Sequence, residues 1–151
     1  MLETPDQPVL HELEFRLSYA DCDPAGIVYF AAYYPWFERT YNEWAFLGGF
    51  APGKMVELWG ATHVSVSSEC DYLVPGRLHD PLVCRMRLAR VGRTSFSMHF
   101  SVDNRETAET FAAGRMAFVF VTGDLRTNGR PQPTPVPRQL REILTRAGCT
   151  L

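Results

Sequence analysis

Tyr19 to Trp44 reads YADCDPAGIVYFAAYYPWFERTYNEW, and the rest of the chain is arranged about it. Two carboxylates, Asp21 and Asp23, meet a Pro24-Ala25-Gly26 turn, and an aromatic helix follows, expected from about Ala31 to Leu47. Tyr33, Trp36, Phe37, Tyr41 and Trp44 recur near i, i+3, i+4 and i+8, a wide apolar stripe suited to a core. Glu38, Arg39, Asn42 and Glu43 fall on other faces. Pro35 is tolerated only in a first turn, which sets the helix start near Ala31 or Ala32. Gly48-Gly49 ends the helix, since glycine is favoured just past a helix terminus.

Around this helix the pattern changes to a period of two, the signature of half-buried strands. Leu10–Leu17 sets Leu13, Phe15 and Leu17 against Glu12, Glu14 and Arg16. Residues 51–58 read as a short helical turn. Thr62–Val74 is one long or bent strand, closed by Val74-Pro75-Gly76. Leu82–Val91 follows, and Gly92-Arg93 forms a turn or bulge. Ser95–Val102 sets Phe96, Met98, Phe100 and Val102 against Ser95, Ser97, His99 and Ser101. Residues 103–108 make a polar hairpin turn. Phe111–Thr122 is apolar on both faces from Met116 to Val121, as in a central strand. Four prolines, Pro131 to Pro137, then lead into a short amphipathic helix from about Pro137 to Ala147. A strand, a long helix and four largely antiparallel strands make a two-layer α+β domain. A single domain is expected over 1–151, with its core at about 10–122 and a Pro-rich tail over 123–151. One helix on one sheet leaves apolar surface uncovered, which points to a homo-oligomer.

Composition narrows the function. The chain of 151 residues is long enough for one real core. Its formal net charge of −2 gives no electrostatic basis for nucleic acid or anionic membrane as a partner. Lys54 is the only lysine, so anion binding falls to arginine forks. The start, MLETPDQPVLHEL, has no basic run or apolar core of a signal peptide, and no window approaches the roughly 20 apolar residues of a membrane span. Cys22, Cys70, Cys84 and Cys149 lack CxxC spacing and read as free thiols of a cytoplasmic protein, with two disulfides the alternative.

The sequence lacks HExxH, GxSxG and phosphate-loop motifs, so neither a metal site nor a serine nucleophile is expected. Asp23 has two readings. It can cap the helix with Pro24 at the first helical position. Alternatively, it can serve chemistry: a carboxylate at a turn beside unpaired backbone N–H groups is a minimal acyl-transfer site, with a base or nucleophile facing oxyanion donors.

Asp21–Phe30, DCDPAGIVYF, followed by an aromatic helix, resembles the signature of the 4-hydroxybenzoyl-CoA thioesterase family. Asp71–Leu82, DYLVPGRLHDPL, and Arg90–Phe96, RVGRTSF, are similar to that family's loop and basic turn. The resemblance spans about residues 10–122. It implies a hot-dog fold, an antiparallel sheet wrapped around one long central helix, with two copies pairing into a continuous sheet and then a tetramer. It implies hydrolysis of an aromatic or short-to-medium acyl-CoA at the dimer interface without a metal or redox cofactor. It assigns Asp23 as nucleophile or general base, Asp21 as support and the Phe30 N–H as oxyanion donor. Tyr29, Tyr33, Trp36, Glu38 and His63 form the acyl pocket in this reading. Arg90, Arg93, Thr94 and Ser95 take the CoA phosphates. Two other readings are a hot-dog hydratase or dehydratase and a non-catalytic acyl-CoA-binding module.

Overall fold

A computed structural model describes residues 1–122, 125 and 130–151. The long helix α1 spans Tyr33–Leu47 and the short helix α2 spans Pro52–Trp59. Five strands follow in chain order: β1 Val9–Arg16, β2 Thr62–Tyr72, β3 Pro81–Val91, β4 Ser95–Asn104 and β5 Thr110–Thr122. They form one antiparallel sheet in the order β1-β3-β4-β5-β2, with a two-residue strand β6, Gln132–Pro133, against β5. Helix α3 spans Arg138–Arg146. This α+β arrangement is the hot-dog fold that the resemblance implies.

Helix α1 buries Tyr33, Trp36, Phe37, Tyr41 and Ala45 against the sheet. Phe37 stacks on Phe100 of β4 at 4.8 Å, and Tyr41 on Phe118 of β5 at 4.9 Å. The Phe37 ring lies on Gly114 of β5, where any Cβ would collide with it, so only glycine allows this approach. A three-residue 3₁₀ turn, Phe30–Ala32, precedes the helix, and α1 begins at Tyr33, later than expected, with Pro35 in its first turn. At the other end Gly49, with φ +81°, closes a Schellman motif. Its N–H donates to Phe46 O at 3.0 Å and the Phe50 N–H donates to Ala45 O at 2.9 Å. Phe50 then packs 5.0 Å from Trp44.

β5 lies between β4 and β2, in agreement with its two apolar faces, and β2 is an edge strand bulged between Ser65 and Ser67. On the face away from α1, Arg85 bridges Glu12 and Asp103. His99 differs from expectation there. It is 2% exposed, set by register between Arg87 and Arg115, and neither ring nitrogen has a hydrogen-bond partner among the described residues. Long arginine stems cover apolar and ring surface in this way. The tail is packed as well: Val136, Leu140, Leu144 and Cys149 join the core. Each buried leucine contributes about 1.5–3 kcal/mol. All four cysteines are free. Among the described residues, no helix is long and apolar enough to cross a membrane.

Candidate active site

The two carboxylates of the opening turn are engaged differently. Asp21 Oδ2 accepts from the Ser18 N–H at 3.0 Å and the Ser18 hydroxyl at 2.9 Å. The Asp21 carbonyl accepts from the Tyr29 N–H at 2.8 Å, so this residue ties the loop's two ends together. Asp23 sits in the turn itself. Its N–H donates to Ile27 O and its carbonyl accepts from the Gly26 N–H, both at 2.9 Å. Gly26 has φ +76°, a conformation that glycine adopts without strain. Asp23 Oδ1 accepts from the Ala25 N–H at 2.8 Å, an Asx-type turn. Oδ2 has no partner among the described residues. The capping expectation is therefore corrected: α1 starts only at Tyr33, Pro24 is not helical, and Asp23 does not cap the helix.

Asp23 opens into a cleft of about 260 Å³ that it shares with Phe30, Tyr33, Tyr72 and Pro75. Phe30 begins the 3₁₀ turn, and its N–H meets no acceptor among the described residues. Burial pushes the Tyr33 phenol up to about 12. The Cys22 thiol beside Asp23 is also raised, first by burial and then by the Asp21 and Asp23 charges, so it is protonated at neutral pH and a poor nucleophile. Two residues expected in the acyl pocket lie outside the wall of this cleft. Tyr29 is half exposed and leans on Phe30 at 4.7 Å, outside the cleft wall. Trp36 is core, 4.6 Å from Phe15 and 5.1 Å from Tyr33. Of the large rings on that helix face Tyr33 reaches the cleft, whereas Trp36 is taken up in packing against Phe15.

Glu38 and His63 meet in a second cavity of about 300 Å³, with Tyr41, Ser65, Met116 and Phe118. The Tyr41 hydroxyl and His63 Nε2 are 2.7 Å apart, and Phe96, Phe118 and Phe120 surround the imidazole. Burial holds the His63 pKa down to about 4, so its ring is neutral at pH 7. Asn42, one turn on, hydrogen-bonds the Glu38 carboxylate. The two cavities occupy opposite ends of β2: Tyr72 is at one and His63 and Ser65 are at the other. A single copy of the chain therefore does not join Glu38 and His63 to Asp23.

A third cleft, of about 460 Å³, is lined by Arg90, Arg93 and Ser95 together with Ser67, Ser97 and Arg115. Thr94 lies in the same turn but outside the wall. Arg115 also pairs with Glu69 at 2.5 Å. Tyr72, Tyr41 and Arg115 were not singled out as site residues by sequence reasoning. Tyr72 falls at the end of the strand expected over Thr62–Val74, in the segment Asp71–Leu82 that resembles the family's strand and Pro-containing loop. Tyr41 belongs to the core stripe of the helix, and strand register alone brings Arg115 to the basic cleft.

The sequence profile described as "Thioesterase superfamily" matches residues 25–111. No curated protein matches the chain. Among solved structures, the fold is similar to a 1,4-dihydroxy-2-naphthoyl-CoA thioesterase from Synechocystis, with TM-score 0.78, 17% identity, and coverage of 93% of this chain and 98% of that one. A 4-hydroxybenzoyl-CoA thioesterase mutant complexed with 4-hydroxybenzoyl-CoA gives TM-score 0.75 and 22% identity, over 88% of this chain and 96% of that one. The dynemicin thioesterase gives TM-score 0.72 and 26% identity, over 91% and 96% respectively.

Proposed function

The chain belongs to the thioesterase superfamily, and from that premise we propose that it hydrolyses acyl-CoA thioesters, aroyl esters foremost. The observation that carries this is Asp23: one carboxylate oxygen fixes the turn, while the other is unpartnered in an apolar cleft beside the Phe30 N–H. That oxygen attacks the thioester carbonyl, or takes the proton of a water that does so. In the first route the C–S bond breaks, coenzyme A leaves as thiolate and is protonated, and water then hydrolyses the acyl-aspartyl anhydride. In the second, water attacks directly and Asp23 holds its proton until the thiolate leaves. Both routes build charge on the carbonyl oxygen, where the Phe30 N–H donates. One preorganised donor of this kind contributes about 3–4 kcal/mol to the barrier.

Tyr33 lines the acyl side of the cleft. Among the described residues β2 has an unpaired edge carrying the exposed Val66 and Tyr72, which suits antiparallel pairing with a second copy. A two-fold axis through such a pair sets the Thr62 end of one strand beside the Tyr72 end of the other. Glu38 and His63 of one copy then complete the acyl pocket at Asp23 of the next, with Glu38 positioned to accept from a ring hydroxyl. Likeness to two aromatic acyl-CoA thioesterases supports the aroyl preference. Arg90, Arg93, Thr94 and Ser95 receive the phosphates of coenzyme A through guanidinium forks and backbone N–H groups. The chemistry requires no metal or redox cofactor. Steady-state hydrolysis of benzoyl-, hydroxybenzoyl- and fatty acyl-CoA by the native protein and Asp23→Asn tests the proposal. It requires turnover by the former and severe loss in the latter; full activity in Asp23→Asn rules out the assigned role.

A further inference from the structure

The turn between β3 and β4 is held from behind by the C-terminal segment. Arg141 Nη2 donates to Gly92 O at 2.5 Å, and the Val136 N–H donates to Arg93 O at 2.9 Å. The next carbonyl, Thr94 O, accepts from the Phe120 N–H of β5 at 2.8 Å. The tail braces that strand too, because the Thr134 N–H donates to Phe120 O at 2.9 Å. Three successive carbonyls of the turn thus have defined partners, two of them in the tail.

A trans peptide is planar, and its carbonyl and N–H point in opposite directions. Fixing Gly92 O and Arg93 O toward the tail therefore turns the N–H groups of Arg93 and Thr94 away from it. Neither has an acceptor among the described residues. The wall of the 460 Å³ cleft includes Gly92, Arg93 and Ser95, and no tail residue is in it among the described residues. The tail thus holds the turn through its carbonyls without contributing to the cleft wall. Successive free N–H groups beside two arginines form an anion cradle of the nest type.

Arg141 is well placed to set this geometry. It projects from α3 between Leu140 and Leu144 of the same helix, both fully buried, so its backbone is anchored in the core. Its guanidinium donates to a carbonyl of the turn and forms no carboxylate pair among the described residues. We infer that the C-terminal segment is a positioning element for phosphate recognition: Arg141, by holding Gly92 O, aims the Arg93 N–H at the anion, and Val136 fixes the next peptide of the turn behind it. This rests on the proposed role of the cleft in binding coenzyme A, and it gives the Pro-rich tail a task.

The test compares the native protein with Arg141→Ala and Arg141→Lys. Calorimetry with free coenzyme A reads the cradle without turnover. Kinetics on benzoyl-CoA and on the benzoyl thioester of N-acetylcysteamine, which has no phosphates, reads it during turnover. Losing a charge-assisted hydrogen bond weakens a contact by about tenfold or more. Arg141→Ala is therefore expected to raise the coenzyme A Kd and the benzoyl-CoA KM about tenfold, with kcat within about twofold and the N-acetylcysteamine ester unaffected. Arg141→Lys, which keeps a cationic donor, is expected to recover part of the affinity. Unchanged Kd and KM in Arg141→Ala, or equal losses on both esters, overturns the inference. A native protein that binds coenzyme A but hydrolyses neither ester overturns the proposed hydrolase function and leaves the Kd comparison decisive for the tail.

Discussion

The two ends of β2 carry opposite kinds of polar chemistry. At the Tyr72 end, Asp23 stands on a surface turn, with one oxygen in a backbone hydrogen bond and the other open to a cleft. At the Thr62 end, His63 is packed among three phenylalanines and bonded to Tyr41, and is neutral at pH 7. The first end keeps a carboxylate oxygen accessible to the cleft. The second keeps its imidazole bonded to Tyr41 and enclosed by aromatic rings. A histidine held near pKa 4 is neutral at pH 7, and it lies at the opposite end of β2 from Asp23.

The contrast can be broken first at Asp23. Asp23→Asn keeps the acceptor for the Ala25 N–H but removes the charge. Expected is a loss of about 10³-fold in kcat, within the range of a missing base or nucleophile, with little change in the unfolding midpoint. A comparable loss of stability would instead mark Asp23 as structural.

The next effect is on stability against pH. His63 and His99 are both held near pKa 4 in the fold, His63 by burial and His99 by burial and then Arg87, against 6.5 unfolded. The neutral forms are favoured, so the stabilisation is complete above pH 6.5 and is lost as pH falls from 6.5 toward 4. Each histidine accounts for on the order of 3 kcal/mol across that window. Urea unfolding at pH 7 and pH 5 should show the loss, and His99→Leu should flatten it.

Tyr41→Phe comes third. It leaves His63 Nε2 buried without its partner and should cost about 1–3 kcal/mol in chemical unfolding. Glu38→Gln is the smallest, because the side chain is exposed. It should lower kcat/KM about tenfold for hydroxybenzoyl-CoA and much less for benzoyl-CoA. Equal effects on both esters would separate the Thr62 end from the acyl pocket.

The same contrast explains what was legible in the sequence. The strand-turn-helix order around DCDPAGIVYF carries its own local signals, and the helix stripe, the glycine stop and the alternating strands all formed as expected. The basic turn at Arg90–Ser95 was also readable, since its arginines flank a glycine. The helix start shifted because Phe30–Ala32 tightens into a 3₁₀ turn, which side-chain periodicity does not register. Trp36 lies in the core and Tyr29 outside the wall of the Asp23 cleft, and a resemblance does not fix such placements. Periodicity identifies a helix face, but not which ring on that face meets the sheet and which meets a cleft. His99, Arg115 and the tail's hold on Gly92 depend on strand register and on contacts between distant segments, neither of which is encoded locally.

The most direct measurement offers benzoyl-, hydroxybenzoyl- and octanoyl-CoA to the native protein at neutral pH and follows release of the free thiol. Turnover of the aroyl esters at roughly 1–10² s⁻¹, ordinary for an enzyme, is the expected result. No thiol release from any of the three contradicts hydrolysis at the Asp23 cleft.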